Sequence, residues 1–199
     1  MITRALKRGY TAIEVLIAMT VLAIGASGVI SMQRGAIQGN VDARRMDTAN
    51  AIAHDWAERL RQDAMLWNLR DRLNVSAADN RTTTAPLLAT VDGNWHIPTG
   101  RLADSRVKSP GFDVLGNDLP QAQLGGASLM FCANVRLTWL VTDKLMRAEV
   151  RVFWPRGVNT APAAGVCTAD PTFGDPGATE LDQYHFVYAV TAVRKNEAQ

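Results

Sequence analysis

The 199-residue chain carries 21 lysines and arginines against 19 aspartates and glutamates, a formal charge of +2. Three of those cations, Arg4, Lys7 and Arg8, fall in the first nine residues, so the remainder counts 18 against 19. A balance this close to neutral argues against a protein organised by bulk attraction to nucleic acid or anionic lipid.

The first element is a short basic leader closed by Gly9, followed at Tyr10 by an apolar stretch that Glu14 interrupts. From Val15 to Gln33 there is no charged residue, a run about long enough to cross a bilayer as a helix. A carboxylate at the leading edge of such a span is expensive and marks a functional position. A secretory signal would place a small-residue cleavage site after the apolar run. Here the chain continues through Ser31-Met32-Gln33-Arg34 into more helix, and the break lies at Gly9-Tyr10. Positive residues stay cytoplasmic, so Arg34 and everything beyond it are expected on the periplasmic side. A signal anchor with a chance glutamate is the bland alternative.

Gly9-Tyr10-Thr11-Ala12-Ile13-Glu14-Val15-Leu16-Ile17-Ala18 resembles the class III signal of type IV prepilins, usually written G-F-T-L-I-E-V-L-I-A. Tyr10 and Ala12 depart from it, where Phe and Leu are usual. The resemblance implies that a prepilin peptidase cuts after Gly9 and N-methylates Tyr10 as the new first residue. It also implies that Glu14 meets the amino terminus of a neighbouring subunit. The expected organisation is a leader at 1–9, a transmembrane and filament-core helix at 10–33, and a periplasmic pilin domain at 34–199. The expected fold class is α+β, type IV pilin-like: a long N-terminal helix, transmembrane in its first half, packed on a small antiparallel β-sheet.

Beyond the apolar run the helix pattern persists. Ile37, Val41, Ala49, Ile52, Ala53, Trp56, Leu60, Ala64 and Trp67 recur at spacings of three, four or their sums, the mark of an amphipathic helix. Arg44, Arg45, Asp47, Asp55, Glu58, Arg59, Arg61 and Asp63 occupy the other face. No proline interrupts Tyr10 to Leu73, so one helical element is expected, its amphipathic half at 34–73. Gly25, Gly28, Gly35 and Gly39 near the junction suit either close helix packing or local unwinding, and membrane helices also simply tolerate glycine.

Residues 74–128 lose the periodicity. Asp92-Gly93-Asn94 and Gly116-Asn117-Asp118 read as turns, Trp95-His96-Ile97 as a short strand, and the whole as the variable αβ-loop that the pilin resemblance implies. Strand signals return at 129–194. Val135, Leu137, Trp139 and Val141 alternate with polar residues, and after the turn Thr142-Asp143-Lys144 so do Ala148, Val150, Val152 and Trp154. This pattern predicts an antiparallel hairpin with one buried face. Tyr184 to Arg194 supplies a third strand, with Phe186, Tyr188, Val190 and Ala192 in register. Leu137-Thr138-Trp139 and the stretch from Arg147 to Pro155 are similar to the hairpin of PilV-type minor pilins.

Cys132 and Cys167 lie in the exported part, where an even pair favours a disulfide over a metal or redox site; two buried free thiols are the alternative. His54, His96 and His185 are dispersed over helix, loop and strand, and no hydrolase, zincin or P-loop motif occurs. Asp170, Asp175, Glu180 and Asp182 form a loose acidic group without EF-hand spacing. No catalytic residue, cofactor or metal is therefore expected. The resemblance implies a structural protein of the bacterial inner membrane, single-pass and assembled into a surface pilus. Its implied partners are prepilin peptidase, other minor and major pilins, the inner-membrane assembly platform and a pilus-tip adhesin. A type II secretion pseudopilin would carry the same signal and helix. A DNA-capturing competence pilin is a third reading, with Arg101, Arg106 and Lys108 as a local basic patch.

Overall fold

The computed structural model describes residues 10–66, 91–98, 109–120, 123–142, 144–157, 162, 166–167 and 177–194. Gly9 and the leader, Trp67, the patch at Arg101, Arg106 and Lys108, and Asp170 and Asp175 lie outside the described residues. The elements are α1 (Ala12–Leu66), β1 (Trp95–His96), β2 (Gly111–Phe112), β3 (Phe131–Val141), β4 (Leu145–Pro155), α2 (Ala178–Gln183) and β5 (Tyr184–Arg194). The chain divides into two compact units, Met1–Arg44 and Arg45–Gln199.

In the first unit α1 is long and apolar enough to cross a membrane, and none of its most apolar stretch is buried. Exposure of the large side chains runs from 45% at Val15 to 72% at Leu22 and Ile24. Burying such side chains is worth roughly 1.5–3 kcal/mol each, so this surface requires an apolar surrounding that the chain itself does not provide. Thr20 and Ser27 donate their hydroxyls back to the carbonyls of Ile17 and Ile24, each at 2.8 Å. Their polar groups are thereby satisfied within the helix, as lipid demands.

In the second unit an antiparallel sheet has the order β1-β3-β4-β5, with β2 also paired to β3. Trp95 pairs with Arg136, Phe112 with Phe131, Val135 with Val150, and Val150 in turn with Ala189. From residue 45 onward α1 lays Ala49, Ile52, Ala53, Trp56 and Leu60 on one sheet face, against Val135, Leu137, Val150, Val152, Trp154 and Val187. Arg61 Nε donates to Thr191 Oγ1 at 2.6 Å and ties the helix to β5. This is a long N-terminal apolar helix and a small antiparallel sheet, the α+β pilin fold. Trp56 is a core residue, as its place on the stripe suggests, whereas Ile37 is exposed.

A second cluster fills the opposite face with Leu119, Leu124, Leu129, Phe153, Tyr184 and the bonded pair Cys132–Cys167. Gly111 sits where this layer is thinnest: a Cβ there would lie 2.5 Å from Leu124 Cδ2 and 2.7 Å from Leu129 Cδ1.

The strands differ from expectation in two respects. β4 buries both faces rather than one, because Phe153 enters the second cluster and Glu149 and Arg151 are also covered. In β5 the residues turned to the helix side are Val187, Ala189 and Val193, not Phe186, Tyr188, Val190 and Ala192. Every position from Phe186 to Val193 except Thr191 is apolar, so alternation could not choose the face; pairing to β4 does. Arg45 is a further correction: assigned to the polar helix face, it is only 8% exposed. Its Nη1 donates to Gly157 O at 2.8 Å, clamping α1 to the end of β4.

The disulfide closes a segment of sequence separation 35, which the chain-entropy account values at about 4 kcal/mol. Cys132→Ser with Cys167→Ser in the detergent-solubilised full chain is expected to lower the denaturant midpoint by a corresponding amount. A reductant should reproduce the loss in the parent protein and leave the variant unchanged.

Candidate functional site

At the amino end the first helical residue is Ala12, and Thr11 caps it. The Thr11 N–H and hydroxyl both donate to Glu14 Oε2 at 3.0 Å, while the Glu14 N–H reaches Thr11 Oγ1 at 3.4 Å. Thr11-Ala12-Ile13-Glu14 is thus a capping box, the reciprocal pairing of a cap hydroxyl with the third helical residue. The signal for it, threonine three residues before an acid ahead of an apolar run, stood in the sequence, but attention there fell on Glu14 alone. Glu14 Oε1 makes no hydrogen bond among the described residues, and none joins Tyr10 to Glu14. Tyr10 is exposed.

On the sheet face away from α1, side chains assigned to solvent form a lattice of charge. Glu149, buried, accepts from Arg136 Nε at 2.6 Å and is ion-paired to Arg147. Arg151, fully buried, donates to Asn134 Oδ1 at 2.9 Å. The guanidiniums of Arg136 and Arg151 lie 4.5 and 4.3 Å from the Trp95 ring centre, close enough for cation–π attraction. Trp95 is brought there by the turn at Asp92, which accepts from the Asn94 N–H at 2.8 Å and from Asn94 Nδ2 at 2.9 Å. The Asn94 amide and the His96 ring beside it hold the Asp92 carboxyl well below the usual carboxylate range. His185, expected as a surface or edge residue, is half-buried and stacks on Trp154 with ring centres 5.2 Å apart.

The third feature is a groove where α1 meets the turn after β2. Asp113 organises that turn: its Oδ1 accepts from the Leu115 and Asn117 N–H groups at 2.8 Å, and its Oδ2 accepts from Asn117 Nδ2 at 3.0 Å. Gly116, at φ +82°, lets the turn lie on the helix, since a Cβ would approach Thr48 Cγ2 to 3.0 Å. The cavity between them has a volume of about 450 Å³ and is lined by Asp47, Thr48, Ala51, Ile52, Asp55, Phe112, Leu115 and Gly116. Asp118 stands beside it. Desolvation pushes its carboxyl up to about 6; Arg59 opposes that rise and Asp55 adds to it. Among the described residues no group of three or more His, Cys, Asp or Glu side chains is placed to hold a metal ion.

Residues 4–30 match the family described as the prokaryotic N-terminal methylation motif. No curated protein and no solved structure matches the chain. A prepilin-type methylation motif ahead of a transmembrane-length helix, with that helix continuing onto an antiparallel sheet, is typical of the type IV pilin superfamily. Fold and motif are those of a structural pilin or pseudopilin rather than of a catalytic domain.

The raised carboxyl of Asp118 has a definite pH signature. Its ionised form is disfavoured in the folded state, so the native structure is penalised above pH 6, and the penalty is gone once pH falls below the unfolded value near 4. More than a third of the residue stays exposed, so the effect is small. Asp118→Asn is expected to raise Tm at pH 7.5 and to leave it unchanged at pH 4, as thermal unfolding at the two pH values would register.

Proposed function

We propose that this protein is a minor pilin of the type IV pilus, of the PilV type, which joins other minor pilins in priming or capping the filament. The observation that carries the reading is the start of α1: a capped carboxylate, Glu14, immediately before an apolar span that no other part of the chain covers. In this reading prepilin peptidase removes 1–9 after Gly9 and methylates Tyr10. The helix at 10–33 waits in the inner membrane with the rest of the chain in the periplasm. Glu14 then meets the amino terminus of a neighbouring subunit during assembly. Its partners are major and minor pilins, the inner-membrane assembly platform and a tip adhesin. The likeness of the β3–β4 hairpin to PilV-type sequences selects this subunit class over the pseudopilins of type II secretion. A deletion strain that loses surface pili while still exporting secreted enzymes would support that choice, and the reverse would overturn it.

Two variants test the N-terminal chemistry. Replacing Gly9 by a bulkier residue, for instance Gly9→Leu, should leave only leader-bearing protein on a blot of whole cells; any mature-sized band counts against the cleavage position. Glu14→Ala should still be processed, yet recover at least tenfold less partner pilin on co-purification and reduce surface pili accordingly. Unchanged recovery and piliation would remove Glu14 from assembly.

A further inference from the structure

The second unit carries two exposed patches of opposite character at opposite ends of its sheet. The first is the groove at the α1–β2 turn. Its floor is Ala51, Ile52 and Phe112, its wall is Leu115, 77% exposed on a turn that Asp113 stiffens, and Asp47 stands at its edge. Three carboxylates, Asp47, Asp55 and Asp118, surround it with one cation, Arg59, which is paired to Asp55. Asp47 makes no hydrogen bond or ion pair among the described residues. A volume of about 450 Å³ is within the range of clefts that receive a ligand group, roughly 300–1,000 Å³.

The second patch is the tip where β3 turns into β4. Leu140 and Val141 are 55% and 49% exposed there. Lys144 beside them is exposed, as is Arg194, which pairs with Leu145 across the β4–β5 register. Asp143, in the same turn, lies outside the described residues, and Lys195 follows Arg194 in sequence. The tip is therefore apolar with an excess of cations, and the groove is apolar with an excess of anions. The groove abuts the start of β3, where Phe112 pairs with Phe131, and the tip is its other end at Val141. Eleven residues of strand separate them by about 33 Å, too far for the tip to fill the groove of its own chain.

We propose that the β3–β4 tip of one copy docks in the acidic groove of a second copy, with Leu140 and Val141 against Ile52 and Phe112 and Arg194 facing Asp47. Because the two patches are different surfaces at opposite ends of the sheet, the contact is heterologous. It propagates from copy to copy instead of closing a two-fold dimer. The apolar part supplies the attraction, and the charges set orientation and encounter rate. This contact goes beyond the minor-pilin reading and does not depend on it, since self-association can be read whether or not pili are made.

The test is disulfide trapping of the full-length protein in membranes, using one cysteine in each patch. Ala51→Cys marks the groove and Leu140→Cys the tip; both positions are exposed, and the native cysteines are bonded to each other and buried. Co-expressed single variants should give a cross-linked dimer under mild oxidation, while each alone gives at least fivefold less. The double variant should give a ladder of dimer, trimer and higher species. Asp47→Arg should reduce the ladder at least fivefold, and adding Arg194→Asp should restore it. No mixed dimer, an equally strong dimer from Leu140→Cys alone, or a groove cysteine trapped only with a different protein would each overturn the proposal. Normal piliation alongside such a failure would leave the minor-pilin reading standing.

Discussion

An apolar helix surface with nothing from its own chain to cover it is the constraint from which the rest follows. Between Val15 and Gln33 the sequence offers water no charge, and the structure lays no side chain over that span. Hydrophobic burial is worth about 25 cal/mol per Å², so the segment must lie in lipid or among other helices at every stage of its life. From residue 45 the same α1 faces a different demand and meets it with a stripe, Ala49, Ile52, Ala53, Trp56 and Leu60, instead of an all-round apolar surface. One uninterrupted backbone thus presents two hydrophobic patterns for two surroundings.

The sheet answers the second demand on both of its faces. α1 covers one. A loop layer stapled by Cys132–Cys167 covers part of the other, and the charged lattice of Arg136, Glu149, Arg147 and Arg151 occupies the remainder. Buried ion pairs contribute little net stability, because desolvation consumes most of the Coulombic gain. What they contribute here is register. Shifting β4 by one residue would turn Arg151 and Glu149 into the layer occupied by Trp56 and Leu60, far from Asn134, Trp95 and Arg136. An apolar strand such as β5 cannot protect itself in that way, and its alignment is set by the neighbour it pairs with.

Legibility in the sequence follows the same division. The membrane-length run, the helix stripe and the alternation of β3 were readable because each combines one buried face with a distinct period. The face of β5 was not, since nearly every residue in it is apolar. Arg45 and Arg151 were unreadable as core residues because their burial depends on groups remote in sequence, Gly157 for the one and Trp95 and Asn134 for the other. The groove was invisible for the same reason. It exists only where Gly116 allows a distant turn to touch Thr48 and Ile52, and no local pattern reports such a meeting.

The capping box also alters the energetic reading of Glu14. Taken alone, a carboxylate in a membrane helix costs about 2.5–3.5 kcal/mol at the centre of the span and less at the interface. A side-chain cap typically contributes about 0.5–2 kcal/mol, so Thr11 offsets part of that cost within a single subunit, without waiting for a partner. The two bonds from Thr11 both fall on Oε2. The helix end is therefore formed before any assembly contact, while Oε1 keeps its acceptor capacity for a donor from outside. A carboxylate so arranged does not need a neighbour in order to fold. What a neighbouring donor adds is the remaining compensation for a charge at the edge of lipid, and that difference favours subunits in contact over subunits apart.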